Sequence, residues 1–181
     1  MVHRETNRAQ CVLQWTLVRV IESWFGERSA GAVQIGRPTF EGGRPQIFFA
    51  PDGSQVCAQL SEASGGNWSA AMYELAHETV HLLDPEDGFT NWFEEGVATA
   101  AAQECHSIRF ESSEPPPLPG DYQTAHEMVL NLGQEWRAIA RDVRDQCGTM
   151  RGATFEVLQQ LCPETPPGTL QRLIGQLEPQ L

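Results

Sequence analysis

Ala76-His77-Glu78-Thr79-Val80-His81 is the stretch on which the reading of this chain turns. Helix-compatible residues surround it from about Asn67 or Ser69 to Leu83, and Asp84-Pro85 ends the run because proline disfavours helical geometry in the residue before it. On a helix, two histidines four apart project from one face, one turn above the other. Neutral imidazoles so arranged supply two of the three protein ligands of an open zinc site. Glu78 then stands where a carboxylate can take the proton of a metal-bound water, whose pKa the ion lowers towards about 7. Zn2+ is the expected cofactor, and a third ligand must come from elsewhere in the chain.

Trp92-Phe93-Glu94-Glu95-Gly96-Val97-Ala98 offers that ligand. Thr90 or Asn91 can cap a helix there, with Glu94 in the capping-box position three residues after Asn91, and an alanine-rich run carries the helix to Gln103. Adjacent helical residues point about 100° apart, so spacing alone does not choose between Glu94 and Glu95. Asp87 is a rival ligand in the intervening loop.

Taken together, the H-E-x-x-H helix and the following W-x-x-E-G-x-A resemble the gluzincin metallopeptidases, the group that includes thermolysin-like and M1-type aminopeptidase domains. The likeness covers residues 70–102, with a weaker echo in residues 122–132. It implies an α+β, zincin-like single domain over residues 1–181: a small antiparallel or mixed sheet, the active-site helix and a helical C-terminal part. It also implies His77 and His81 as zinc ligands, Glu95 as the third, and Glu78 as the general base. Trp92 matches the family's common tryptophan, and Glu94 becomes a cap or a supporting group. Gluzincins commonly steady the oxyanion with a downstream tyrosine or histidine, which points to Tyr122 or His126; Tyr73 and His106 are further candidates. The short interval from His81 to Glu95 and the lack of a G-x-M-E-N segment disfavour an M1-type exopeptidase. A metzincin pattern fails because Asp84 stands in place of its glycine and Asp87 in place of its third ligand.

The rest of the chain limits the alternatives. At 181 residues with net charge −12, its twelve basic residues are all arginines. The absence of lysine excludes Schiff-base chemistry and a Walker-type phosphate lysine, and an acid excess without a basic stripe argues against nucleic acid as a partner. Five dispersed cysteines without a C-x-x-C pair argue against a disulfide scaffold. No apolar run approaches eighteen residues, so no membrane span is expected and the cytoplasm is the expected compartment. Nothing in the sequence specifies an oligomeric state.

Outside the motif, an apolar stripe predicts a helix over residues 7–25, closed by Gly26. Residues 32–35, 46–50 and 55–60 read as short strands of a small antiparallel sheet, the last two forming a hairpin around Pro51-Asp52-Gly53. Its edge could take an extended substrate. After an extended stretch at 115–120, Asp121 caps a helix whose stripe runs Tyr122, Ala125, Val129, Leu132, Trp136, Ile139 and Val143. Shorter helices are expected over 155–161 and 170–177. The five tryptophans fall mostly on helical stripes and are expected in the core. Glu74 and Asp84 read as solvated helix charge or as groups that orient a histidine. Cys105 and His106 are neighbours on one helix and do not face each other, which disfavours a thiol nucleophile. The expected function is zinc-dependent hydrolysis of a peptide or protein substrate; the alternative is a non-catalytic zinc-binding module that recognises a peptide or protein. Chance occurrence of the motif in a structural helical domain is a third reading.

Overall fold

Helix α1 (Val2–Phe25) stops at Gly26, whose φ of +93° is a conformation that any residue with a Cβ resists. In this computed structural model, residues 2–29, 33–110, 115–116 and 120–177 are described. Leu17, Val18, Ile21 and Phe25 form the buried stripe of α1, and the Gln14 amide donates to the Gly36 carbonyl at 3.1 Å.

A four-stranded sheet follows, built from β1 (Gln34–Ile35), β2 (Thr39–Gly42), β3 (Gln46–Phe49) and β4 (Gln55–Ser61). β3 and β4 are the expected hairpin, antiparallel from Gln46 opposite Gln59 to Phe49 opposite Val56. Its turn is closed by Gly53 N–H donating to Ala50 O and by Ala50 N–H donating to Gln55 O, both at 2.8 Å. The sheet is mixed, not purely antiparallel, because β1 and the unforeseen β2 both pair parallel with β4 on the side away from β3. Val56, Ala58 and Leu60 alternate along β4 as its buried face.

A single 3-10 turn (Glu62–Gly66) leads to α2 (Trp68–His81), where Asn67 caps the helix by accepting from the amides of Ser69 and Ala70. Glu74 accepts from the Ser61 amide at 2.9 Å and the Ser61 hydroxyl at 2.6 Å, fastening the end of β4 to α2. Tying strand to helix is thus its role here, in place of the solvated or histidine-orienting one expected. At the other end of α2, Arg28 donates from Nε to the Leu82 carbonyl at 2.7 Å and from Nη2 to Val33 O at 2.8 Å. A cation at these final carbonyls suits the helix dipole. Asp84 accepts from the Ser29 hydroxyl.

β5 (Thr90–Asn91) runs directly into α3 (Trp92–Arg109), which extends six residues past the expected end. The long helix expected from 122 to 143 is two helices, α4 (Gly120–Leu130) and α5 (Trp136–Cys147), with Asp121 inside the first turn of α4. Gly133, at φ +123°, lies in the break between the two helices. α6 (Phe155–Leu161) has its expected bounds and is capped by Thr154. α7 (Pro167–Leu173) begins on a proline, and the chain beyond it forms β6 (Gln176–Leu177) against β5, so the expected helix to residue 177 ends early. The tryptophan expectation holds for buried Trp136 but not for Trp15 and Trp68, which are about half exposed. Of the extended stretch at 115–120, residues 117–119 lie outside the described residues, as does Ala32 of the first expected strand.

The chain forms two compact units: Met1–Ser23 with Glu27–Asp87 and Ala101–Pro116, and Trp24–Gly26 with Gly88–Ala100 and Pro117–Leu181. The first contains the mixed sheet and α2, the second β5, β6 and α4 to α7. Among the described residues, no helix is long and apolar enough to cross a membrane.

Candidate metal centre

His77 and His81 occupy one face of α2, as spacing at i and i+4 requires, and both are buried. Their Nε2 atoms are 3.3 Å apart and their ring planes meet at 61°. Two nitrogens bound to one tetrahedral zinc at roughly 2.0 to 2.1 Å would be separated by about 3.3 Å, the edge of that tetrahedron. Glu95, in the first turn of α3, completes the group: one ligand atom from each of His77, His81 and Glu95 lies within 4.8 Å of the others. Two imidazoles and a carboxylate form a donor set used by catalytic zinc sites. All three residues are buried, as is Glu78, which sits between the histidines in sequence. Buried ionisable groups at this density need partners or a cation to offset lost hydration.

In the first turn of α3, Glu94 has partners of its own. Asn91 Oδ1 accepts from the Glu94 amide at 2.8 Å, the first half of a capping box. The Glu94 carboxylate accepts instead from Thr90 Oγ1 at 3.0 Å and from Arg151 Nε at 3.1 Å. Asn91 Nδ2 in turn donates to the Arg151 carbonyl at 2.9 Å. Glu94 is therefore a cap-region anchor, and Arg151, 57 residues downstream, is a neighbour that no local sequence signal reveals. Asp87 is exposed and is not part of the three-residue group.

Gly96 follows Glu95 for a steric reason. A Cβ at Gly96 would stand 2.4 Å from the carbonyl oxygen of Ala125 and 2.5 Å from a Val129 methyl, so α4 approaches α3 as closely as backbone permits. Tyr122 and His126 share the α4 face that carries Ala125 and Val129, and both are half-buried. Burial lowers the His126 pKa, with Glu127 opposing the shift, which favours the neutral imidazole at pH 7.

Two further candidates, Tyr73 and His106, pack against each other. His106 is fully buried, with Nε2 2.6 Å from Ser69 Oγ, joining the start of α2 to α3; desolvation lowers its pKa. Tyr73 is buried edge-on to the His106 ring, with centroids 6.4 Å apart. Cys105 is buried and its pKa is pushed up to about 11, the reverse of what a thiolate nucleophile requires. No family model, no curated protein and no solved structure matches this chain.

Proposed function

We propose that this chain is a zinc-dependent peptide hydrolase of the gluzincin type, with a zincin-like fold. The observation that carries the reading is the convergence of His77, His81 and Glu95, two histidines of one helix with a carboxylate of the next, on a volume the size of one ion. A zinc ion held by these residues would supply Lewis acidity, polarising a carbonyl and bringing the pKa of water towards about 7. Glu78, buried beside the pair in sequence, would accept the proton of the attacking water on its carboxylate and pass it to the departing amine. Tyr122 or His126 would donate a hydrogen bond to the oxyanion from the helix packed on Gly96. The regular edge of β3 suits an extended peptide or protein substrate, which would bind through main-chain hydrogen bonds.

Incubating the zinc-loaded protein and its Glu78→Gln variant with a mixed peptide library tests this reading. The wild type should cleave and the variant should retain zinc while losing about 10²- to 10⁴-fold in rate. Equal rates would refute Glu78 as the base. Stoichiometric zinc without turnover in the wild type would favour the zinc-binding interaction module, and no tight zinc would refute both.

A further inference from the structure

Glu94 and Glu95 are consecutive, equally buried carboxylates, and a turn of α3 by about 100° would exchange them. Several contacts fix its rotation. The Glu94 amide is held by Asn91 Oδ1, its carboxylate by Thr90 Oγ1 and by the guanidinium of Arg151. Arg151 is itself set in the turn between α5 and α6, whose Met150 and Arg151 carbonyls receive Asn91 Nδ2 at 3.4 and 2.9 Å. The Arg151 and Glu94 side chains are 17% and 7% exposed, so the ion pair is largely shielded from water and its geometry is restrictive. On the neighbouring backbone, Trp92 N–H donates to Gly175 O at 3.1 Å, and the Trp92 ring lies under Arg172 with 4.3 Å from guanidinium carbon to centroid.

We infer that Arg151 is a positioning residue for the metal site: by clamping Glu94 it sets the rotation of α3, so that Glu95 is the carboxylate presented to His77 and His81. This rests on the proposed reading of those three residues as zinc ligands. Arg151 is not one of the three grouped residues, and the route by which it would act is its bond to Glu94. Such outer partners commonly change metal affinity by about 10- to 100-fold when removed.

Zinc affinity, measured by competition with a chromophoric chelator, and metal-free thermal unfolding are compared in wild type, Arg151→Met, Arg151→Lys and Glu94→Gln. At a temperature where every variant is folded, Arg151→Met should bind zinc at least tenfold more weakly, Arg151→Lys should recover most of the loss, and Glu94→Gln should fall between Arg151→Met and wild type. A lower unfolding temperature with wild-type zinc affinity would assign Arg151 to stability alone and overturn the inference. Should Arg151→Met not fold, Arg151→Lys and Glu94→Gln decide: unchanged affinity in both overturns the inference. A wild type that binds no stoichiometric zinc removes the metal reading and this inference with it, whereas tight wild-type binding that Arg151→Met leaves unaltered removes only the inference.

Discussion

Gly96 and Ala125 meet backbone to backbone, with 2.4 Å between the Ala125 carbonyl oxygen and the point where a Gly96 Cβ would sit. A methyl group there has to push α4 away, because the obstructing atom is main chain and cannot rotate aside. Gly96→Ala should cost about 2–3 kcal/mol, the scale of overpacking in a tight core. Because α4 carries Tyr122 and His126, the proposed peptidase activity should fall further than the unfolded fraction explains. Urea denaturation and assays on the folded fraction check both parts, and an unchanged midpoint would contradict the contact.

On the proposed zinc reading, removing one imidazole should abolish metal binding without unfolding the chain. α2 is capped by Asn67 and clamped by Glu74 and Arg28, none of which involves a ligand atom. His81→Ala should therefore keep its circular dichroism spectrum and lose stoichiometric zinc. At a thousand times its dissociation constant, zinc should raise wild-type stability by about 4 kcal/mol and leave the variant unmoved. Collapse of the variant's helical signal would instead mark the ion as structural.

Arg28 tethers the C-terminal end of α2. Its two bonds to Leu82 O and Val33 O involve a charged donor and are partly buried; burial lowers the guanidinium pKa while Glu22 and Asp84 oppose the shift. Arg28→Met retains much of the aliphatic bulk and leaves two carbonyls without this donor, so a loss of about 2 kcal/mol is expected. Chemical denaturation reads it directly, and amide exchange should speed up first at residues 80–83.

Acid should destabilise the protein through His106. Its folded pKa lies below the ordinary histidine value of about 6.5 because burial disfavours the charged ring. Between those two values the unfolded chain binds more protons than the folded one, so stability falls as pH drops below about 6.5 and levels off below the folded pKa. His106→Gln should flatten part of that slope, with His126 contributing another part in the same direction. Identical stability profiles for variant and wild type between pH 7 and 5 would dismiss His106 as a contributor.

The sequence carried those features whose physics is local. The Asn67 and Asn91 caps, each one of two positions that the sequence offers, the Pro51-Asp52-Gly53 turn and the bounds of α6 depend on a few consecutive residues, and all are found. The pair His77 and His81 is legible for the same reason, since one helical turn fixes it. What escaped depends on distant partners. β2 has four residues, one of them Gly42, and exists through parallel pairing with β4. β6 is two residues stabilised against β5. The stripe through Leu132 concealed the break between α4 and α5 because periodicity continues across Gly133 even though the helix does not. The preference for Glu95 over Glu94 rests on family resemblance, because Arg151, which holds Glu94, lies 57 residues away where no local signal reaches.

The two margins of the mixed sheet differ in a way that bears on self-association. On one, β1 and β2 follow each other along β4, with Pro38, which has no amide hydrogen to give, between them and a register irregularity within β2. A foreign strand approaching that margin meets an interrupted ladder, a known device against fibril growth. The hairpin strand β3 presents a continuous row. Aggregation of destabilised protein should accordingly nucleate at residues 46–49, and a lysine placed at the exposed Phe48 should retard it.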